Sequence, residues 1–156
     1  MWADLPARIV IPMKADYDLK RFLDAQQPVY SQALAEIKNG RKQSHWMWFI
    51  FPQVSGLGYS EMARFYAIHN LEEARAYLEH PVLGSRLMEV SNALLGIVGK
   101  TANQILGSPD DLKLRSCMTL FSLPKNTSPV FQAVLDKYFN GLMDPRTLER
   151  VQAREG

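Results

Sequence analysis

Residues 40–60 hold the densest chemistry in the chain: Gly40-Arg41-Lys42-Gln43-Ser44-His45-Trp46-Met47-Trp48-Phe49-Ile50-Phe51-Pro52-Gln53-Val54-Ser55-Gly56-Leu57-Gly58-Tyr59-Ser60. Two cations and a histidine lead into four aromatics within six residues, Trp46 to Phe51. Gly56-Leu57-Gly58 then runs into a predicted helix capped by Ser60. A glycine-rich turn ahead of a helix start exposes backbone N–H groups beside the positive end of the dipole, which suits an anion. Arg41 and Lys42 add cationic donors, and Trp46 or Trp48 offers a stacking face for a base or ring. His45 is the proton-transfer candidate. Each feature alone has a plainer reading: Gly-x-Gly is a common turn, an aromatic run is usually core, and a lone histidine is usually structural. The combination marks the segment. Neither the full dinucleotide fingerprint nor the phosphate-loop motif is present.

A second cluster is Asp110-Asp111-Leu112-Lys113-Leu114-Arg115-Ser116-Cys117-Met118-Thr119. Asp111 and Arg115 are spaced for an i,i+4 ion pair, and the plain reading is a solvated helix face. If this helix packs against the glycine turn, Asp111 becomes a candidate acid or base, and Lys113 and Arg115 become an anion clamp. No metal or other cofactor is expected. His45, His69 and His80 fall on three elements, and no His-x-x-x-His or Cys-x-x-Cys pair exists. The lone Cys117 lies on a buried stripe and reads as a small hydrophobe. The nucleophile elbow Gly-x-Ser-x-Gly is absent.

The elements that must position these residues are helical. Asp18 is placed to cap a helix over 19–23. Pro28 opens one over 28–39, ended by Asn39-Gly40. Ser60 caps 61–69 and Asn70 caps 71–80. Residues 82–98 carry the longest period, with Leu83, Leu87, Val90, Leu94 and Ile97 on one stripe and Gly99 closing it. Thr101 caps a short turn through Leu106. Ser108-Pro109-Asp110-Asp111 and Ser128-Pro129 are helix starts, and Asp144-Pro145 begins a short last helix. The run 46–51 fits a short buried strand or one helical turn. The prediction is an all-α, compact multi-helical fold of about seven or eight helices with at most one strand. One domain over 17–152 follows a loose N-terminal arm, 1–16, in which Met13 reads as an alternative start.

Composition sets the outer bounds. The chain has 156 residues, 47% hydrophobic and 22% charged, which suits one folded domain rather than a disordered chain. Eighteen Lys and Arg against sixteen Asp and Glu leave a net charge of +2, too small for bulk nucleic-acid binding. No apolar run approaches the roughly 20 residues of a membrane span or the core of a signal peptide, so no membrane role and a cytoplasmic location are expected.

Four strings carry a family resemblance: Asp18-Leu19-Lys20-Arg21-Phe22 with Ala25-Gln26; Gly40-Arg41-Lys42 with His45-Trp46-Met47-Trp48-Phe49-Ile50-Phe51-Pro52-Gln53; Gly56-Leu57-Gly58; and Asp110-Asp111-Leu112-Lys113-Leu114-Arg115-Ser116 with Met118-Thr119-Leu120-Phe121. Over about residues 16–152 the chain closely resembles the bacterial domain of unknown function numbered 1810, sometimes labelled "calpastatin". The resemblance implies a compact multi-helical fold of the α-α superhelix kind and no activity. The label does not extend to inhibition of calcium-dependent proteases: that inhibitor is a disordered repeat protein, whereas this chain has no repeat and has well-formed apolar stripes and caps.

Two functional expectations follow. One is a binding site for an anionic metabolite or nucleotide, with hydrolysis as an added activity: His45 and Asp111 handle protons, and Arg41, Lys42, Trp46, Trp48, Gly56, Gly58, Lys113 and Arg115 hold ligand. The alternative is a helical protein-interaction module without catalysis, using its aromatics as anchors for a protein partner.

Overall fold

A computed structural model of the chain describes residues 17–155, so the expected arm 1–16 lies outside the described residues. The order is α1 (Lys20–Gln26), α2 (Tyr30–Lys38), α3 (Met47–Ile50), α4 (Glu61–Phe65), α5 (Leu71–Glu79), α6 (Leu83–Leu95), α7 (Ala102–Leu106), α8 (Asp110–Ser122), α9 (Val130–Phe139) and α10 (Pro145–Glu155). Ten helices among the described residues replace the expected seven or eight, because the run 46–51, read as a strand or one turn, and the short turn after Thr101 form helical pieces of their own, α3 and α7. The only β pairing among the described residues is an isolated parallel bridge between Val54 and Ile68. No helix there is long and apolar enough to cross a membrane.

Local chemistry sets several boundaries. The Ser60 and Asn70 side chains accept from the Ala63 and Glu73 N–H groups, and Thr101 with Gln104 forms a capping box. Asp18 makes no such cap; Leu19 holds that position without a side-chain bond. Two helices stop earlier than the pattern predicts, each through a tertiary bond. Beyond Phe65 the chain turns extended: Ile68 N donates to Gln53 O (2.8 Å) and Ser55 N to Ile68 O (2.8 Å). Helix α6 ends at Leu95, where α9 supplies donors for its last carbonyls: Tyr138 Oη to Leu94 O (2.6 Å) and Lys137 Nζ to Leu95 O (2.9 Å). Helix α10 is longer than expected, at 11 residues.

Helix α8 is the centre, packed by α5, α7, α9 and α10. Residues 116–121 are buried without interruption, so this stretch is enclosed on every side, not presented as one solvated face. Aromatic contacts run across the core: Phe22 to Tyr77 at 5.1 Å, Tyr77 to Phe121 at 5.3 Å and Phe121 to Phe131 at 6.0 Å. Cys117 lies inside with no solvent access, and burial pushes its thiol pKa well up, as for a small hydrophobe.

Gly84 lets α5 and α6 meet. A Cβ there would stand 2.1 Å from the Leu78 carbonyl oxygen, a backbone atom that cannot step aside. Gly84→Ala is expected to lower stability by about 2 kcal/mol, despite alanine's better helix propensity. Chemical denaturation checks it; a neutral or stabilising outcome would mean that the helices separate freely.

Candidate functional site

The segment 40–60 folds around a single carboxylate. Glu36, on the last turns of α2, is 4% exposed and accepts from five donors. These are Gln43 N (2.9 Å), Ser44 N (3.1 Å), Ser44 Oγ (2.7 Å), Trp46 Nε1 (2.8 Å) and Gln32 Nε2 (2.8 Å). Burial acts to raise its pKa; donation from Gln43, Ser44, Gln32 and Trp46 outweighs burial and brings the pKa down to about 2. The ionised carboxylate therefore pins the loop that leads into α3. That turn, Met47–Ile50, decides between the strand and helical readings of the aromatic run.

The expected stacking role of Trp46 is corrected here. Its ring is 1% exposed and its N–H is bound to Glu36, so it is core. Trp48 is half-buried, with Lys113 Nζ 5.5 Å from its ring centroid. Lys42 is also less free than expected: Nζ lies 3.0 Å from Asp110 and 5.2 Å from the Trp46 ring. Arg41 and His45 are exposed, and no side-chain hydrogen bond or ion pair engages either among the described residues.

The Lys42–Asp110 pair joins this segment to the start of α8, and Lys113 leans back toward the same Asp110 at 3.7 Å. The two chemically dense stretches thus meet. The Asp111–Arg115 ion pair does not form. Asp111 accepts from Asn103 Nδ2 (3.2 Å), while Arg115 reaches across to the carbonyls of Leu142 (2.9 Å) and Met143 (2.6 Å). Those carbonyls sit on an unpaired turn, which satisfies the guanidinium better than an exposed i,i+4 carboxylate does.

The glycine turn is held from behind by α10. Arg150 Nε donates to Ser55 O (3.2 Å) and Arg146 Nη2 approaches Leu57 O (3.4 Å). Gly56 has φ +93°, which favours glycine, and a Cβ there would fall 2.2 Å from the Arg150 guanidinium, which would have to swing away from the turn. The helix that follows, α4, has only five residues. Its dipole is correspondingly small, so the cationic side chains nearby carry the site's positive charge.

Between the glycine turn, the first half of α8 and the start of α10 lies a cleft of about 450 Å³. Of the candidate residues, Gly58, Lys113 and Arg115 line it; His45, Asp111, Arg41, Lys42, Trp46, Trp48 and Gly56 lie off its lining. Gln53, Tyr59, Leu112, Ser116, Asp144 and Arg146 are among the other lining residues, none of them anticipated as a site residue. Asp144 accepts from Ser116 Oγ (2.6 Å), Thr147 Oγ1 (2.6 Å) and Arg146 N (3.2 Å). Burial works to raise its pKa, but the bonds from Ser116, Thr147 and the Arg146 N–H, with Arg115 nearby, hold it below the ordinary aspartate value. At neutral pH it is an acceptor already occupied by donors, not an acid. A second cavity, between α5, α6 and the loop before α9, contains none of the anticipated residues. No three His, Cys, Asp or Glu side chains gather as a metal site among the described residues.

Residues 16–151 match the family described as "Protein of unknown function (DUF1810)". This chain belongs to that family. The DUF1810 span agrees with the resemblance seen in the four strings and contains every residue of the cleft. The crystal structure of the conserved hypothetical protein Rv1873 from Mycobacterium tuberculosis is similar at 48% identity and TM-score 0.85, covering 86% of this chain and 96% of that one. At that similarity the two chains share one fold. No curated protein matches the sequence.

Proposed function

We propose that the cleft binds an anionic small molecule, with nucleotides among the classes it can take. The observation that carries this reading is convergence. Lys113, Arg115 and Arg146 come from two helices to one cleft, whose one lining carboxylate, Asp144, is already saturated by donors. Arg115 is committed to two carbonyls at short range, whereas Lys113 and Arg146 are held only by longer contacts, to Asp110 at 3.7 Å and to Leu57 O at 3.4 Å, so these two are the cations that can turn toward a ligand. Gln53 adds an amide able to donate and accept. Binding has more support than turnover, since the proton-transfer candidates His45 and Asp111 stand off the lining. Trp46, an anchor in the interaction-module alternative, is core.

The test is a thermal-shift panel of nucleotides, sugar phosphates and simple anions. A ligand at one hundred times its Kd adds about 2.7 kcal/mol, a shift of about 8 °C at this chain length. Arg146→Ala and Lys113→Ala are each expected to weaken binding about tenfold, the loss of one charged hydrogen bond. A ligand that binds both variants as it binds wild type lies elsewhere, and the reading fails.

A further inference from the structure

The cleft lining mixes cations with apolar side chains: Lys113, Arg115 and Arg146 share it with Leu57, Tyr59, Ala63, Pro109 and Leu112. Two of these are large apolar side chains left in water: Tyr59 is 75% exposed and Leu112 is 58% exposed. Leu112 is the one exposed residue of α8. One such side chain alone is ordinary; two lining one cavity together with three cations make an amphiphilic surface.

Resting on the reading above that the cleft holds an anion, we infer that its ligand is amphiphilic: a phosphate or carboxylate head on an alkyl or aryl body. The head meets Lys113 and Arg146. The body covers Tyr59 and Leu112, so both side chains lose their exposure to water when the ligand is bound. Inorganic anions and sugar phosphates satisfy only the cations, and the hydroxyls of a sugar would have to be stripped of water against Tyr59 and Leu112. The apolar lining selects the body, and the charge selects the head.

A homologous series tests this with the whole chain: methyl, butyl and hexyl phosphate, with butyrate and hexanoate as the carboxylate arm, followed by calorimetry. Affinity is expected to rise with chain length, by up to about fourfold for each methylene laid on the apolar wall. Leu112→Ser and Tyr59→Ser, both at exposed positions, should flatten that rise, the loss of affinity growing from methyl to hexyl phosphate. Arg146→Ala should weaken every member by a similar factor and leave the rise intact. A flat series with retained binding overturns the amphiphilic ligand and spares the anion site. Failure of every member to bind overturns both.

Discussion

Glu36→Ala is expected to lower the unfolding free energy by about 3 kcal/mol, one of the two largest single-residue effects in this chain. The reason is the asymmetry of the carboxylate's surroundings. Truncation leaves the Trp46 indole N–H, the Gln43 and Ser44 N–H groups and the Ser44 hydroxyl without their acceptor. The Trp46 donor is wholly inside the protein, where an unmet N–H costs most. Urea unfolding reads the loss, and a shift in tryptophan emission should accompany it, because the turn carrying Trp46 and Trp48 is no longer pinned. Glu36→Gln keeps one oxygen for these donors and should lose about half as much.

The same carboxylate makes acid stability predictable. Its folded pKa, about 2, lies below the ordinary glutamate value of 4.5. The unfolded chain therefore binds the proton more readily, and the stabilisation is present above pH 4.5 and disappears as pH falls from there through about 2. The full difference corresponds to about 3 kcal/mol; the exposed neighbours Gln32 and Gln43 let solvent screen the group, which brings the expected loss nearer about 2 kcal/mol. In Glu36→Gln that part of the pH dependence should vanish. A variant whose stability falls with acid as steeply as wild type would assign the effect to other carboxylates.

The features legible in the sequence are those whose physics is local. The caps at Ser60, Asn70 and Thr101 need only three or four neighbouring residues. Asn140-Gly141 ends α9 with both residues at positive φ, as its composition suggests. The all-α class follows from repeated apolar stripes, and the family from four strings. What local patterns miss is set by distant partners. Helix α4 stops at Phe65 because Gln53 takes the Ile68 N–H, and no signal within 61–69 encodes that. The stripe Leu114, Cys117, Met118 and Phe121 is visible along α8, but Ser116 and Thr119 are buried as well. Their hydroxyls donate to carbonyls four residues back, and Ser116 also donates to Asp144, which lets polar residues occupy the centre of the fold.

The cleft divides along the same line. Gly58, Lys113 and Arg115 stand out by type and spacing. Asp144 and Arg146 read only as part of a helix start, because what brings them to the glycine turn is α10 folding back across more than eighty residues. Trp46 shows the reverse error. Its type suggests a stacking face, yet an acceptor ten residues earlier holds it inside. Chemical type nominates a residue; only its partners decide whether it is available.

Arg21→Met should cost the most, about 4 kcal/mol, because it strands a buried charge. Arg21 is 5% exposed at its side chain and Glu73 is fully enclosed, with 3.2 Å between Nη1 and Oε2. The guanidinium also donates to Phe65 O (2.8 Å), Ala67 O (2.7 Å) and the Asp18 carbonyl. Methionine preserves much of the stem and its packing but leaves Glu73 balanced only by the His69 N–H and ring nitrogen, both at 2.7 Å. Glu73→Gln removes the stranded charge, so the double variant Arg21→Met/Glu73→Gln should be less destabilised than the two single losses added together. Additive losses would show that the pair is not coupled and that the carbonyl bonds carry the cost. The carbonyls matter for the site as well. Phe65 O closes α4, whose Ala63 lines the cleft, so freeing that end loosens one cleft wall while the Lys113 and Arg146 side stays in place. Anion affinity in Arg21→Met, measured where the variant is still fully folded, is therefore expected to fall less than in Arg146→Ala. An equal or larger fall would mean that α4 positions the ligand as strongly as the cations do.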